Sequence, residues 1–403
     1  MPGLLGMDLD HVLLYPEGKS LLTCIQCGVC SATCPQEAFM EYPPRKIVAM
    51  LKAGLIDEVV QSGSMLKCVS CYSCQAKCPR QIRLTDLLFP LIRGRMFEGG
   101  GIPAELQKAF LDVQRYGNPL GRSTSERSDW VARSKVPIRI LADRPGPVAL
   151  LWNVECYPSY HPRGQAVALA TARLFHRLGL DFAILGSEER CIGDCAGYFG
   201  EFGLLDALIE QNLTTFRKYD FRRVVTSGAH AFNVFAHHYP GYGFTTPVEP
   251  VVGLIGEELP KLRPMLKTSV PHKVTYHDPC CLGRCMGASA LRCYFAPPRK
   301  LLEAIPGLKY VEMAHHHENS LCCGGGGGGM WLDTYYRDQG MDRLSERVVK
   351  EAVAAGADVL AVTCDYEVSR FEDAVKVLGY DRKIVVRDVL ELLDESAGGE
   401  AAV

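Results

Sequence analysis

Two runs of cysteine constrain this chain before anything else does. Cys24, Cys27, Cys30 and Cys34-Pro35 form the first, and Cys68, Cys71, Cys74 and Cys78-Pro79 repeat it. Each reads C-x2-C-x2-C-x3-C-P, the spacing that holds a [4Fe–4S] cubane. Three thiolates on one tight loop grip one face of the cube, and the fourth comes from the other copy. The expected sets are therefore Cys24, Cys27 and Cys30 with Cys78, and Cys68, Cys71 and Cys74 with Cys34. A zinc site would call for cysteines in pairs rather than quartets. Between the quartets, Ile47, Val48, Leu51 and Leu55 recur at helical spacing behind Pro43 and Pro44, which predicts a helix over 43–60. A stripe of Leu84, Leu87, Leu88, Leu91 and Ile92 predicts further helix within 81–116.

The second marked stretch is Leu321-Cys322-Cys323-Gly324, which runs on through five more glycines to Met330-Trp331. Adjacent thiolates are strained on one tetrahedral ion but reach different irons of a cluster. Glycine backbone carries no Cβ and can approach an inorganic group closely. Around this stretch, short apolar runs alternate with helical patterns. Strands are expected at 148–151, 181–185, 223–226, 273–276, 308–311 and 358–363, with helices between them, the longest over 331–355. That alternation predicts α/β domains with mainly parallel sheets.

The two halves of this region align. Cys156 corresponds to Cys280, Cys191-Ile192 to Cys322-Cys323, and Ser227-Gly228-Ala229-His230-Ala231 to Thr363-Cys364-Asp365-Tyr366-Glu367. We read an internal duplication in which the first copy has lost ligands. The overall expectation is α+β: a helical double-cubane domain (1–116), a polar linker (117–146), a degenerate α/β domain (147–263) and a second α/β domain (264–403).

Composition narrows the class. The 403 residues carry a net charge of −2, without the basic surplus that nucleic-acid binding requires. No apolar run is long enough to cross a bilayer and no secretory signal precedes the first quartet. Eighteen cysteines, clustered at short spacings, then indicate metal in a cytoplasmic chain, with docking on a membrane partner left open.

The order of these motifs resembles the cysteine-rich (CCG) domain family, which includes the B and D subunits of heterodisulfide reductase. The double-cubane part resembles the C subunit of that enzyme, so the whole is similar to C–B fusions of the kind seen in its D subunit. A complete CCG motif implies five thiolates around an unusual [4Fe–4S] cluster. Carried over, the second half supplies Cys280, Cys322, Cys323 and Cys364, while Glu367 stands at the fifth position. Cys281 or Glu367 could complete that set, or four thiolates could hold a cubane; Cys285 is also near. In the first half only Cys156 and Cys191 persist. Cys195 adds a thiol, and with His230 the three could hold zinc or three irons, although packing as small hydrophobes is the preferred reading. His277 is a candidate donor near the ligands, and His315-His316-His317 reads as a solvated turn before a metal site. The resemblance implies two cubanes plus a third cluster, in a protein that passes electrons between that cluster and a flavoprotein, an iron–sulfur subunit or a membrane cytochrome. The alternative is a disulfide reductase acting at the third cluster, for which Arg284 and Arg292 would line a basic channel.

Overall fold

The computed structural model describes residues 9–14, 16–288 and 292–399. The first part is helical. Each quartet is an extended loop followed by one helical turn, Val29–Ala32 and Ser73–Ala76. Pro44–Lys52 and Ile56–Gln61 form two helices rather than one, because Gly54 between them takes φ +77°. Then come a π-helical turn Leu84–Leu88 and the helices Phe89–Glu98 and Ala104–Tyr116. The apolar stripe of this stretch is buried as expected, including Leu84, Leu87, Leu88 and Ile92.

Residues 117–146 carry a 3-10 stretch, Thr124–Arg133, and a short strand β1 (Arg139–Ile140) that already belongs to the next domain. The first sheet continues with β2 (Val148–Asn153), β3 (Phe182–Ile184), β4 (Phe221–Thr226) and β5 (Val248–Pro250) in the order β1-β3-β2-β4-β5. The second contains β6 (Lys273–Tyr276), β7 (Lys309–Tyr310), β8 (Val359–Val362) and β9 (Val385–Asp388) in the order β7-β6-β8-β9. Every pairing is parallel, with Leu151 opposite Val224 and Val359 opposite Val385. Parallel sheets need cover on both faces, and β8 is accordingly buried at all four residues.

Leaving out β1, the two sheets share one topology, so the duplication read from the sequence is a duplication of fold. In each, the chain order reverses at the central pair, β2/β4 and β6/β8. Ligand sites of open α/β sheets lie outside the carboxyl ends of strands at such a switch point. Cys156 follows β2, and Cys280 and Cys364 follow β6 and β8. The repeats pack reciprocally. Helix Pro162–Arg177 of the first repeat meets Val389–Ser396 of the second, and Ala296–Glu303 of the second meets Val251–Glu257 of the first. Arg163 seals the first contact with Glu372 at 2.7 Å and with Glu391. The long helix expected over 331–355 is two, Asp333–Asp338 and Leu344–Ala354, parted at Gly340.

Candidate iron–sulfur centres and their junction

The eight quartet thiols line two cavities in fours. Cys24, Cys27, Cys30 and Cys78 border one of ≈ 360 Å³, walled by Ile25, Val48, Ile82 and Leu84. Cys34, Cys68, Cys71 and Cys74 border another of ≈ 330 Å³, walled by Met40, Val69, Tyr72 and Phe89. Non-glycine residues inside these loops take positive φ: Gln26 at +57°, Ser70 at +50° and Tyr72 at +61°. Such strained backbone persists where the surroundings dictate it. Here it turns successive cysteines to one side. The two cavities differ in exposure. Cys27 is exposed and Ile25 is 63% exposed, whereas Cys71 and Cys74 are buried. Burial and neighbouring thiols hold Cys34 and Cys74 well above the usual thiol range, so anionic sulfur needs a metal cation beside it.

The second quartet does not end in solvent. Its Cys71 lies in the same buried cluster as Cys322. The neighbouring Cys322 thiol, aided by Arg284, holds Cys71 down to about 5. Arg284 is buried; its Nε donates to the Cys71 carbonyl at 2.9 Å and its Nη1 to the Ser320 carbonyl at 2.5 Å. The glycine run lies directly against the quartet loop. A Cβ on Gly326 would stand 2.6 Å from the Val69 carbonyl oxygen, and one on Gly327 2.8 Å from that of Cys68. Arg93 fastens the same loop beside Gly327: Nε to the Met65 carbonyl at 3.0 Å and Nη1 to Ser70 Oγ and the Tyr198 carbonyl at 2.8 and 2.9 Å. Sequence reading passed over Arg93 as part of an apolar helix, although a charge within such a stripe is the mark of a buried partner-seeking group.

The C-terminal candidates gather in one buried region. Cys280, Cys322, Cys323 and Cys364 are all below a tenth exposed. Cys323 is flanked by Glu367, His277 and Arg370, and its thiol is lowered chiefly through Cys322. Arg370 Nε donates to the Cys323 carbonyl at 2.7 Å. Glu367, at the position of the missing fifth cysteine, faces His277 Nδ1 at 3.0 Å, and its second oxygen is buried without a hydrogen-bond partner. His277 Nε2 meets the Leu321 carbonyl at 2.9 Å. Burial would lower this histidine, but Glu367 and Cys323 outweigh it and hold it up to about 9. Convergent thiols, an unsatisfied buried carboxylate oxygen and three buried cations make a donor set suited to an anionic iron–sulfur cluster.

The degenerate half differs in charge as well as in ligands. Arg127 places Nη1 and Nη2 3.7 and 3.6 Å from Cys156 Sγ and pairs with buried Glu189 at 2.6 Å. Cys191 and this guanidinium together lower Cys156 against burial. Cys195 sits beside Asp194 at 3.8 Å, and among the described residues no metal-holding group includes Cys156, Cys191 or Cys195. His230 does not join them; it turns to Cys281 at 3.8 Å and to Asp194 at 3.9 Å. Arg292 is on the surface with Glu257, away from the thiols. His316 and His317 lie Nδ1 to Nδ1 at 2.7 Å near Glu312, which Arg299 already holds at 2.6 Å, while His315 pairs with Glu351. Sequence reading had no means of placing Arg127, which stands far from both thiols in the chain.

These features define an iron–sulfur protein in which a dicluster module is joined to two cysteine-rich domains. The sequence profile described as a 4Fe-4S dicluster domain matches residues 23–83, and that described as a cysteine-rich domain matches twice, at 151–234 and 274–366. The D subunit of dihydromethanophenazine:CoB–CoM heterodisulfide reductase from Methanosarcina barkeri is 30% identical over 327 residues, 77% of this chain and 73% of the relative. The probable iron-sulfur-binding oxidoreductase FadF of Bacillus subtilis is 30% identical over 321 residues, 78% of this chain. The EtfAB:quinone oxidoreductase of Syntrophomonas wolfei is 28% identical over 304 residues, 73% of this chain. The chain spans only 44% and 41% of the lengths of the last two. It belongs to the family of cysteine-rich-domain iron–sulfur proteins that includes the D subunit of heterodisulfide reductase. Among the described residues, no helix is long and apolar enough to cross a membrane.

Proposed function

We propose that this chain is the electron-transfer component of a multi-subunit oxidoreductase. Cys24, Cys27, Cys30 and Cys78 hold one [4Fe–4S] cubane, Cys34, Cys68, Cys71 and Cys74 a second, and Cys280, Cys322, Cys323 and Cys364 the core of a third cluster. Bound there, the clusters supply one-electron carriers at successive positions along the chain. The carrying observation is the junction. The glycine run that follows Cys322-Cys323 lies on the Cys68 and Val69 backbone of the second quartet loop, and Arg284 donates to the Cys71 carbonyl of the same loop at 2.9 Å. Arg93, Arg284 and Arg370 fix those loops and bring buried positive charge to anionic centres. The redox partner is a flavoprotein, another iron–sulfur subunit or a membrane cytochrome, met on the cytoplasmic side; the relatives are by name oxidoreductases or parts of one.

The alternative, a disulfide reductase acting at the third cluster, needs a basic path to that site. Arg284 is instead engaged inside the module junction and Arg292 is paired on the surface. Relay is therefore the better reading.

Iron content and EPR of anaerobically purified protein test it. The intact chain should carry about twelve irons, and the Cys322→Ala/Cys323→Ala variant about eight. About eight irons in both would mean two clusters only, and would overturn the assignment of a third.

A further inference from the structure

The fifth thiolate that the second repeat lacks at position 367 has a replacement elsewhere. We propose that Cys281 and Cys285 bind iron together with Cys280, extending the C-terminal cluster site toward the first repeat, where His230 faces it. This rests on the third cluster of the proposed function and specifies its ligands.

Four observations converge. The Cys280, Cys281 and Cys285 thiols are buried, and their ligand atoms all lie within 4.8 Å of one another. Cys280 to Cys281 is 4.0 Å. The helix Arg284–Ala288 packs against Ser73–Ala76 of the second quartet, which brings Cys285 back beside Cys280. Buried cysteines that only fill space have no reason to turn their sulfurs to a common point.

Cys281 is surrounded by donors. Asn233 Nδ2 donates to the Tyr198 hydroxyl oxygen at 2.5 Å. The Tyr198 hydroxyl oxygen lies 3.3 Å from Cys281 Sγ, and either group can donate across that contact. His230 Nδ1 stands 3.8 Å from the same sulfur. These polar groups would face the sulfur of a metal-bound thiolate. Arg284 adds a second sign of charge: its Nη2 is buried without a hydrogen-bond partner. Three buried thiols cannot all ionise against one guanidinium, but a bound metal removes that penalty.

Glu367 meanwhile has an ionic partner of its own in His277, at 3.0 Å. A carboxylate already held against a buried histidine is a weaker competitor for iron than three thiols whose sulfurs lie within 4.8 Å of one another. His230, Tyr198 and Asn233 come from the first repeat, so the degenerate half contributes surroundings to the site that the second half ligates.

The experiment is iron and zinc content with EPR on anaerobically purified full-length Cys281→Ala/Cys285→Ala protein. Cys293→Ala serves as control, since the Cys293 thiol lies apart on the Gly283 carbonyl at 3.4 Å. We expect the double variant to lose iron toward about eight per chain, with the C-terminal signal lost or changed and both cubane signals intact. The control should match the parent. Unchanged iron and an unchanged C-terminal signal would overturn the proposal. So would unchanged iron with loss of about one zinc per chain, since the thiols would then hold a separate ion. Should the double variant misfold by circular dichroism, single Cys285→Ser, which preserves shape, is read by the same signal. If Cys322→Ala/Cys323→Ala itself removes no iron, the third cluster is absent and the proposed function fails with this inference. If that variant removes iron while Cys281→Ala/Cys285→Ala does not, only this inference fails.

Discussion

His277 shows how single residues are set by the charge of this site. Its Nε2 meets the Leu321 carbonyl, while its Nδ1 lies 3.0 Å from the Glu367 carboxylate as an ionic contact without a hydrogen bond; against burial, the Glu367 charge holds the ring up to about 9. The unfolded value is 6.5, hence the folded protein binds the extra proton between the two. The stabilisation is complete below pH 6.5 and is lost as pH rises through 9, up to about 3 kcal/mol in all. Urea midpoints should therefore fall from pH 6.5 to 9, and His277→Gln should lose that slope. A parent protein as stable at pH 9 as at 6.5 would show that the ring is neutral in the fold. The same reasoning explains Arg127. Its guanidinium gives the Cys156 side of the first repeat a permanent cation, in the half where Ile192, Gly228 and Ala231 stand at the remaining cysteine positions. The cysteine positions were legible from spacing alone. Arg127, Arg93 and the direction of His230 were not, because each meets a partner far away in the chain, and periodicity carries no information about such contacts.

At the scale of elements, the glycine run matters through what it lets approach. Gly326 has ordinary backbone geometry, yet its missing Cβ is what allows the Val69 carbonyl to sit 2.6 Å from that position. Gly326→Ala should force the C-terminal loop away from the second quartet. We expect a loss on the order of 2–4 kcal/mol, seen as a lower urea midpoint, together with weakened spin coupling between the second cubane and the C-terminal cluster. Gly340→Ala is the informative comparison. It also costs stability, about 1 kcal/mol for its φ of +64°, but nothing lies within 4 Å of its Cβ, so the coupling should stay. Equal effects of the two substitutions on the coupling would remove the junction from the explanation. Sequence reading found the strands and most helices because strand and helix periods differ strongly. It merged helices across Gly54 and Gly340, and it passed over β5, three residues long, whose place is decided by pairing with β4 rather than by its own pattern.

The whole molecule is graded from an open end to a closed one. Around the first quartet Cys27 is exposed, and Leu14, Leu22 and Ile25 are 71%, 53% and 63% exposed, three of the large apolar side chains left on the described surface. The second quartet is sealed beneath Tyr72, Met40 and Phe89, and the C-terminal thiols lie between the two repeats and the helical module. The reciprocal helix packing and the Arg163 contacts with Glu372 and Glu391 close the far side. The relay proposed above implies a protein partner met at the open end, since electron exchange needs a redox centre near the surface and a modest apolar patch suits a transient contact. The order of exposure can be read without knowing that partner. A water-soluble dysprosium chelate added to reduced protein shortens the spin relaxation of centres near the surface. The signal assigned to Cys24, Cys27, Cys30 and Cys78 should be enhanced strongly, and the signals of the second quartet and the C-terminal site several-fold less. Leu22→Asp should leave iron content and this ranking unchanged, because that side chain is exposed and outside the cavity lining, while weakening association with the redox partner. If the C-terminal signal proved the more accessible one, that end would be the docking face, and the direction of the relay through the junction of the glycine run and the second quartet would have to be reassigned.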